Sequence, residues 1–297
     1  MARVTVRAAE ERDLERAGDV NFLAFYDVAL RHGQRPTVAA PAEARSYLRY
    51  LAGVDPLGGL VAEEDGEIVG VAWAHARGPV TTIGPVAVHP QAQGRGVGRL
   101  LLGRALEAAG GGQVRLVHES FNAISLGLYL RAGFRVVAPL IELVRPAEAT
   151  GAAVAPAGVR IRAAVADDRL RLIARDARAF GAPRPQSLDP YLRRGRVLVA
   201  DDGRALAGYA CGIGVRATAY LGSAAADDGE VLLALVGTLT AELAGAAVHV
   251  LVPAADRLLL DGLAGLGYRV LRACQYMVLG GGTAPPPSYV LMNGDMM

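Results

Sequence analysis

The sequence predicts an α/β protein of the α+β kind, assembled as two copies of one fold in tandem. Three observations carry this reading. Strand-like and helix-like segments alternate along the first half. A glycine-rich stretch, Gln93-Gly94-Arg95-Gly96-Val97-Gly98, joins an apolar strand to an apolar helix. Short motifs of the first half then recur in the same order in the second half.

The elements of the first half follow from periodicity and punctuation. Val4 to Arg7 reads as a strand. Asp13 to Arg31 carries helical apolar spacing at Leu14, Ala17, Val20, Phe22, Leu23 and Tyr26. A second helix is predicted over Ala42 to Leu51. Leu60 to Glu64 and Glu67 to Trp73 form a strand pair around the turn Asp65-Gly66. The strand Thr82-Ile83-Gly84-Pro85-Val86-Ala87-Val88 precedes the glycine-rich loop, and Arg99 to Ala108 follows it as a helix. Val114 to His118 reads as the next strand and Asn122 to Ala132 as the next helix. Gly133 ends that helix, and a last strand runs near 134–144.

The second half echoes the first. Val6-Arg7-Ala8-Ala9 returns as Ile161-Arg162-Ala163-Ala164, and Ala62-Glu63-Glu64-Asp65-Gly66 as Ala200-Asp201-Asp202-Gly203. Gly70 returns as Gly208, and the Tyr129–Val136 stretch as Leu263–Val270. Echoes in one order over more than a hundred residues mark a repeat. The Ala/Pro/Gly-rich stretch between them reads as a linker. The expected division is therefore a first domain over 1–147, a linker over 148–158 and a second copy over 159–297.

Composition excludes several classes. The chain has 297 residues, 52% of them hydrophobic, so each half can build a core. A net charge of +2, with basic and acidic residues interspersed, gives no electrostatic case for nucleic acid. Cys211 and Cys274 have neither paired nor metal-ligand spacing, so no metal site is expected. The N-terminus runs straight into a strand pattern instead of a signal peptide. No apolar run has the length of a membrane span, and the expectation is a cytoplasmic protein without membrane contact.

Glycines let several backbone N–H groups converge on one spot, here the N-terminus of a helix, where the macrodipole favours an anion. The loop therefore points to a phosphate or pyrophosphate. A Rossmann dinucleotide turn is excluded. The position of its third glycine holds Arg99, Glu119 lies too far along the chain for its acidic residue, and the preceding topology is a hairpin.

In the following helix, Asn122 and Tyr129 stand about two turns apart and share a face. Together the loop and this helix resemble the GNAT N-acetyltransferase superfamily. The match is to its Gln/Arg-x-x-Gly-x-Gly/Ala loop and its Asn-x-x-(small)-x-x-x-Tyr…Gly-Phe helix. It covers most of residues 1–145.

That resemblance implies a mixed, mostly antiparallel central sheet flanked by helices in each copy, and acetyl-CoA as cofactor. Backbone N–H groups of Gln93, Gly94, Arg95, Gly96, Val97, Gly98 and Arg99 would cradle the pyrophosphate. The main chain along Val86, Ala87 and Val88 would pair with the pantetheine arm like an extra strand, which requires the neighbouring strand to splay. Asn122 and Ser125 would hold the arm or a water, Val88 N–H would face the oxyanion, and Tyr129 would be the general acid.

A phenol, with an ordinary pKa of about 10, suits protonation of a departing thiolate. Many family members carry a glutamate on the strand before the loop, and this chain has none there. His118, Glu119 and Ser120 are the nearest candidates for the general base, with His75 and Glu63 behind them, and a water chain to solvent would also serve.

The second copy is less well equipped. It has lost about three residues at the loop, where Asp227-Asp228-Gly229-Glu230 would repel a pyrophosphate. Asp256 stands in place of Asn122, and Leu263 in place of Tyr129. The expected activity is acetyl transfer from acetyl-CoA to a primary amine of a small molecule, amino acid or protein, by a monomer or homodimer. The alternative is a non-catalytic acyl-CoA sensor or interaction protein.

Overall fold

The computed structural model describes residues 4–149, 155–201, 205–215 and 217–293. Asp202 and Gly203 of the second turn, and residues 150–154 of the expected linker, lie outside the described residues. The chain forms two compact units, Met1–Arg135 with Val278–Gly282, and Val136–Met277 with Thr283–Met297.

In the first unit, β1 (Thr5–Ala8), β2 (Gly59–Glu64), β3 (Glu67–Arg77), β4 (Val80–Val88) and β5 (Gln113–Glu119) lie side by side in chain order. All pair antiparallel except β4 with β5, which is parallel. The helices are α1 (Leu14–Arg31), α2 (Pro41–Val54), α3 (Val97–Ala108) and α4 (Ala123–Arg131).

Leu14, Ala17, Val20, Ala24 and Val28 form the buried stripe of α1, spaced as a half-buried helix requires. Gly18 lets α2 approach α1, since a Cβ there would lie 2.7 Å from the Cα of Arg45. Gly70 does the same for α3 on β3, where a Cβ would sit 2.8 Å from Leu101. The core beneath the loop is Ala62, Ala72, Ala92, Val97 and Leu101.

The second unit contains α5 (Arg169–Phe180), α6 (Pro185–Arg194), α7 (Gly229–Glu242) and α8 (Arg257–Gly265). Its sheet runs through β7 (Arg160–Ala163), β8 (Arg196–Asp201), β9 (Leu206–Val215), β10 (Thr218–Ala226) and β11 (Ala247–Pro253). Beyond β11 it continues through β6 (Arg135–Arg145) to β12 (Arg269–Leu279), and β13 (Tyr289–Val290) pairs with β10. The sequence assigns β6 to the first copy, yet its backbone pairs with β11 from Leu140 to Arg145.

The repeat is visible in the register. Ala72↔Val86, Val71↔Ala87 and Gly70↔Val88 of β3 and β4 recur as Ala210↔Ala224, Tyr209↔Ala225 and Gly208↔Ala226 of β9 and β10, with the irregularity at the matching place. Local devices recur too. Arg7 donates to Asp13 at 2.6 Å and pairs with Glu63, and Arg162 donates to Asp168 at 2.6 Å and pairs with Asp201.

A fully buried polar cluster lies in the second unit. The Arg184 guanidinium donates to Asp176 (2.7 and 2.8 Å), Ser223 (2.9 Å) and Tyr289 (2.9 Å), and Tyr209 donates to Asp176. Each charge is matched, as a desolvated ion pair requires.

The ion pairs of Asp13, Asp168 and Asp55 set an acid dependence. Hydrogen bonds from Arg7 and Arg162 hold the carboxyls of Asp13 and Asp168 below the usual carboxylate range. Burial pushes Asp55 upward, but hydrogen bonds from His75 and Arg77 outweigh it and the net shift is downward. Such groups stabilise the fold above their unfolded pKa, about 4, and that contribution is lost as pH falls through the folded value. Urea midpoints should therefore be flat above pH ~5 and decline below pH ~4. A midpoint unchanged into strong acid would remove these carboxylates from the stability of the fold.

Candidate active site

The site begins where two strands part. β4 pairs with β5 only at Val80↔Gln113, Thr81↔Val114 and Thr82↔Arg115, although both strands continue. Beyond Thr82 they diverge, as pairing with an extended ligand requires. His89 N–H donates to Val69 O at 2.9 Å, which makes Gly70↔Val88 a non-hydrogen-bonded pair. The main-chain groups of Val88, and of Val86 two residues earlier, therefore point away from β3 into the split. Those of Ala87 point back to β3, so only its neighbours present polar backbone to the opening.

The loop turns the chain from this edge into α3. Gly94 and Gly96 have φ of +76° and +89°, a region favouring glycine. No atom lies within 4 Å of a Cβ built on Gly94, and only the Arg99 guanidinium does so at Gly96. The space in front of the loop is open. Gly96 is the N-cap of α3 and supplies no side-chain acceptor, so the first N–H groups of the helix are uncapped.

Gln93 Nε2 donates to Val88 O at 3.0 Å and fixes the loop against the end of β4, while its Oε1 accepts from Arg31 at 3.2 Å. Arg95 is paired with Glu64. Arg99 is exposed and makes no hydrogen bond or ion pair among the described residues. Val97 is buried against the core, and a Cβ on Gly98 would meet Leu128 at 3.5 Å and Val88 at 3.6 Å.

Asn122 is the N-cap of α4, its Oδ1 accepting from Ser125 N at 3.2 Å. Tyr129 is 8% exposed and packs edge-on to His118 (5.8 Å) and Phe134 (5.9 Å). Alternation along β5 puts His118 and Glu119 on opposite faces. His118 is buried with Val114 and Leu116, and its Nε2 lies 2.9 Å from both Ser125 Oγ and Asn122 O. The Ser125 hydroxyl is thereby committed to His118 and to Asn122 O. Glu119 is half-buried on the other face and accepts from Thr37 Oγ1 at 2.9 Å, in the connection between α1 and α2.

His75 is 1% exposed and bonded to Asp55 and to Gly84 O, and Glu63 is paired with Arg7. Both are structural partners in the fold. The Asp55–His75–Arg77 cluster escaped the sequence reading. The signal was present, since His75 and Arg77 are two apart on one strand and share a face.

These features fit an acyl-CoA. An uncapped helix N-terminus with a free arginine suits a diphosphate, and an unpaired strand edge suits an extended amide-bearing arm. Two models of one family match the chain, the Acetyltransferase (GNAT) family over residues 25–134 and the Acetyltransferase (GNAT) domain over residues 172–291, together more than half of it. The chain belongs to the GNAT acetyltransferase family. Its fold is that of GNAT proteins in tandem, with a mixed, mostly antiparallel sheet flanked by helices.

A putative acetyltransferase from Pyrococcus horikoshii is similar over 99% of this chain and 96% of its own, at 21% identity and TM-score 0.79. A tandem GNAT protein from the clavulanic acid biosynthesis pathway is similar over 96% of this chain and 100% of its own, at 17% identity and TM-score 0.63. Mycothiol acetyltransferase of Streptomyces avermitilis is 38% identical over 85 residues, 27% of this chain and 28% of that enzyme. Among the described residues no helix is long and apolar enough to cross a membrane.

Proposed function

We propose that this GNAT protein transfers an acetyl group from acetyl-CoA to a primary amine, with the first copy, up to about residue 147, carrying the chemistry. The observation that supports this most is the conjunction of three features. β4 and β5 separate after Thr82, Val86 and Val88 turn their main chain into the opening, and the uncapped α3 terminus lies at its end. When bound, acetyl-CoA supplies an activated thioester. Gly94 to Arg99 would hold its diphosphate, and Val86 and Val88 its arm.

The chain's own residues supply the rest. Val88 N–H faces the opening and serves as donor to the developing oxyanion. Gln93, bonded to Val88 O, anchors the following peptide and so the main chain of Val88. Tyr129 gives its proton to the departing thiolate. Asn122 caps α4 and so fixes the helix carrying Tyr129. His118, with Nε2 engaged on α4 and its ring against Tyr129, is a positioning residue. Glu119, on the opposite face and in reach of the α1–α2 connection, takes the amine proton. The likeness to an enzyme named for a small molecule, mycothiol, favours a small-molecule acceptor.

Screening amines while detecting the released thiol tests the activity. Glu119→Gln should lower turnover at neutral pH by about 10²-fold, the low end of general acid–base contributions, with acetyl-CoA affinity unchanged. Parent-like turnover would assign the proton to another group. The absence of a carboxylate on β4 supports one rival, an acyl-CoA sensor. Tight acetyl-CoA binding without turnover of any amine would establish that rival.

A further inference from the structure

The split between strands exists in both copies, and in the second it is filled. β10 pairs with β11 only from Thr218↔Ala247 to Leu221↔Val250, then separates as β4 does from β5. Into this opening runs the C-terminal segment Ser288-Tyr289-Val290-Leu291. On one side Val290 and Tyr289 pair with Ala224 and Ala225, and Ala226 N–H donates to Ser288 O at 3.2 Å. On the other side Leu291 N–H donates to Leu251 O at 3.0 Å, so the segment bridges the two separated strands. By the repeated register Ala224 and Ala226 are the counterparts of Val86 and Val88. The N–H corresponding to that of Val88 is thus occupied by a carbonyl of the chain itself.

Two further contacts repeat the pattern. Asp256, the counterpart of Asn122, caps α8 through Oδ1 (3.1 Å to Leu259 N) and holds Ser288 N–H through Oδ2 at 2.9 Å. Asp228 caps α7, the counterpart of α3, accepting from Glu230 N at 2.7 Å and Val231 N at 3.3 Å. A carboxylate of the chain thus occupies the helix terminus that the first copy leaves open.

The segment is built in. Tyr289, Val290, Leu291 and Met292 are all buried, and Tyr289 reaches the Arg184 guanidinium at 2.9 Å. Pro285 to Pro287 have no N–H for a ladder, so pairing starts only after them. Gly222 has no room for a side chain, because a Cβ would fall 2.2 Å from Leu291 O.

We infer that residues 288–292 are a permanent strand ligand of the second copy, filling the groove that corresponds to the first copy's acyl-CoA groove and making that copy self-liganded. The inference takes from the proposed function only the location of that groove, and its test needs no turnover. A protease site inserted between Thr283 and Ala284 of the full chain allows the segment to be nicked free. The nicked peptide should co-elute with the body on gel filtration, with millimolar acetyl-CoA present or absent, and calorimetry should give one acetyl-CoA per chain.

Amide exchange at Ala226 and Leu291 should be slow in the parent and more than tenfold faster in Gly222→Ala. Tyr289→Phe, which keeps the ring but loses the Arg184 bond, provides the same readout if Gly222→Ala does not fold. Peptide lost without denaturant, peptide displaced by acetyl-CoA, or parent-like exchange in both variants would each overturn the inference. One acetyl-CoA bound with the peptide lost would reject the inference and leave the proposed function standing. A retained peptide with no acetyl-CoA bound would do the reverse.

Discussion

Gly96→Glu is expected to reduce acetyl-CoA affinity by at least about two orders of magnitude while the protein stays folded. The native φ of +89° is one that L residues adopt at a cost of roughly 1–2 kcal/mol, which a domain tolerates. The new Cβ is not crowded, since only the Arg99 guanidinium lies within 4 Å of its position. The loss therefore comes from the ligand's side. A carboxylate would enter the open space before α3 and satisfy the helix terminus that should receive a diphosphate. Gly96→Ala separates the contributions, because it carries the backbone strain without the charge and should lose far less affinity. Calorimetry with a thermal melt on each variant reads the difference. Equal acetyl-CoA binding by parent and Gly96→Glu would place the diphosphate elsewhere.

What the residues disclosed, and what they hid, follows from range. The glycine loop, the Asn122–Tyr129 helix and the Asp65-Gly66 turn are local, and their chemistry is written within a dozen residues. The repeat was legible because it is a comparison of the chain with itself. The Asp228 cap was half legible: its acidity was evident, and its occupation of a helix terminus was not.

Pairing over long separations was not legible. Nothing near Arg135–Arg145 says that its backbone will meet β11 more than a hundred residues later. Nothing in Ser288–Met292 beyond its apolar character says that it will sit between β10 and β11. The places of His118 and Glu119 could have been read. Val114, Leu116 and His118 alternate with Gln113, Arg115, Val117 and Glu119, polar but for one, so period two already puts His118 inward and Glu119 on the other face.

Tyr129→Phe should lower turnover by about 10²–10⁴-fold, the usual contribution of a general acid, if protonation of the thiolate limits the rate. Tyr129 is held in a fixed place. Its helix is capped by Asn122, and its ring is wedged between the edges of His118 and Phe134. Phe retains these ring contacts, so the melting temperature should change little and the acetyl-CoA titration should be nearly unchanged. A group acting only as charge develops on the leaving sulfur lowers kcat and kcat/KM together. The assay is steady-state kinetics with the best amine from the screen, beside cofactor titration and a melt.

Replacing His118 by Asn gives the companion measurement. If His118 positions Tyr129 through α4 and the ring contact, the variant should lose part of the same kcat and keep the parent's pH dependence. A general base at that position would shift the acidic limb instead. Parent-like kcat in a folded Tyr129→Phe protein would assign protonation of the thiolate to water and leave Tyr129 a packing residue of α4.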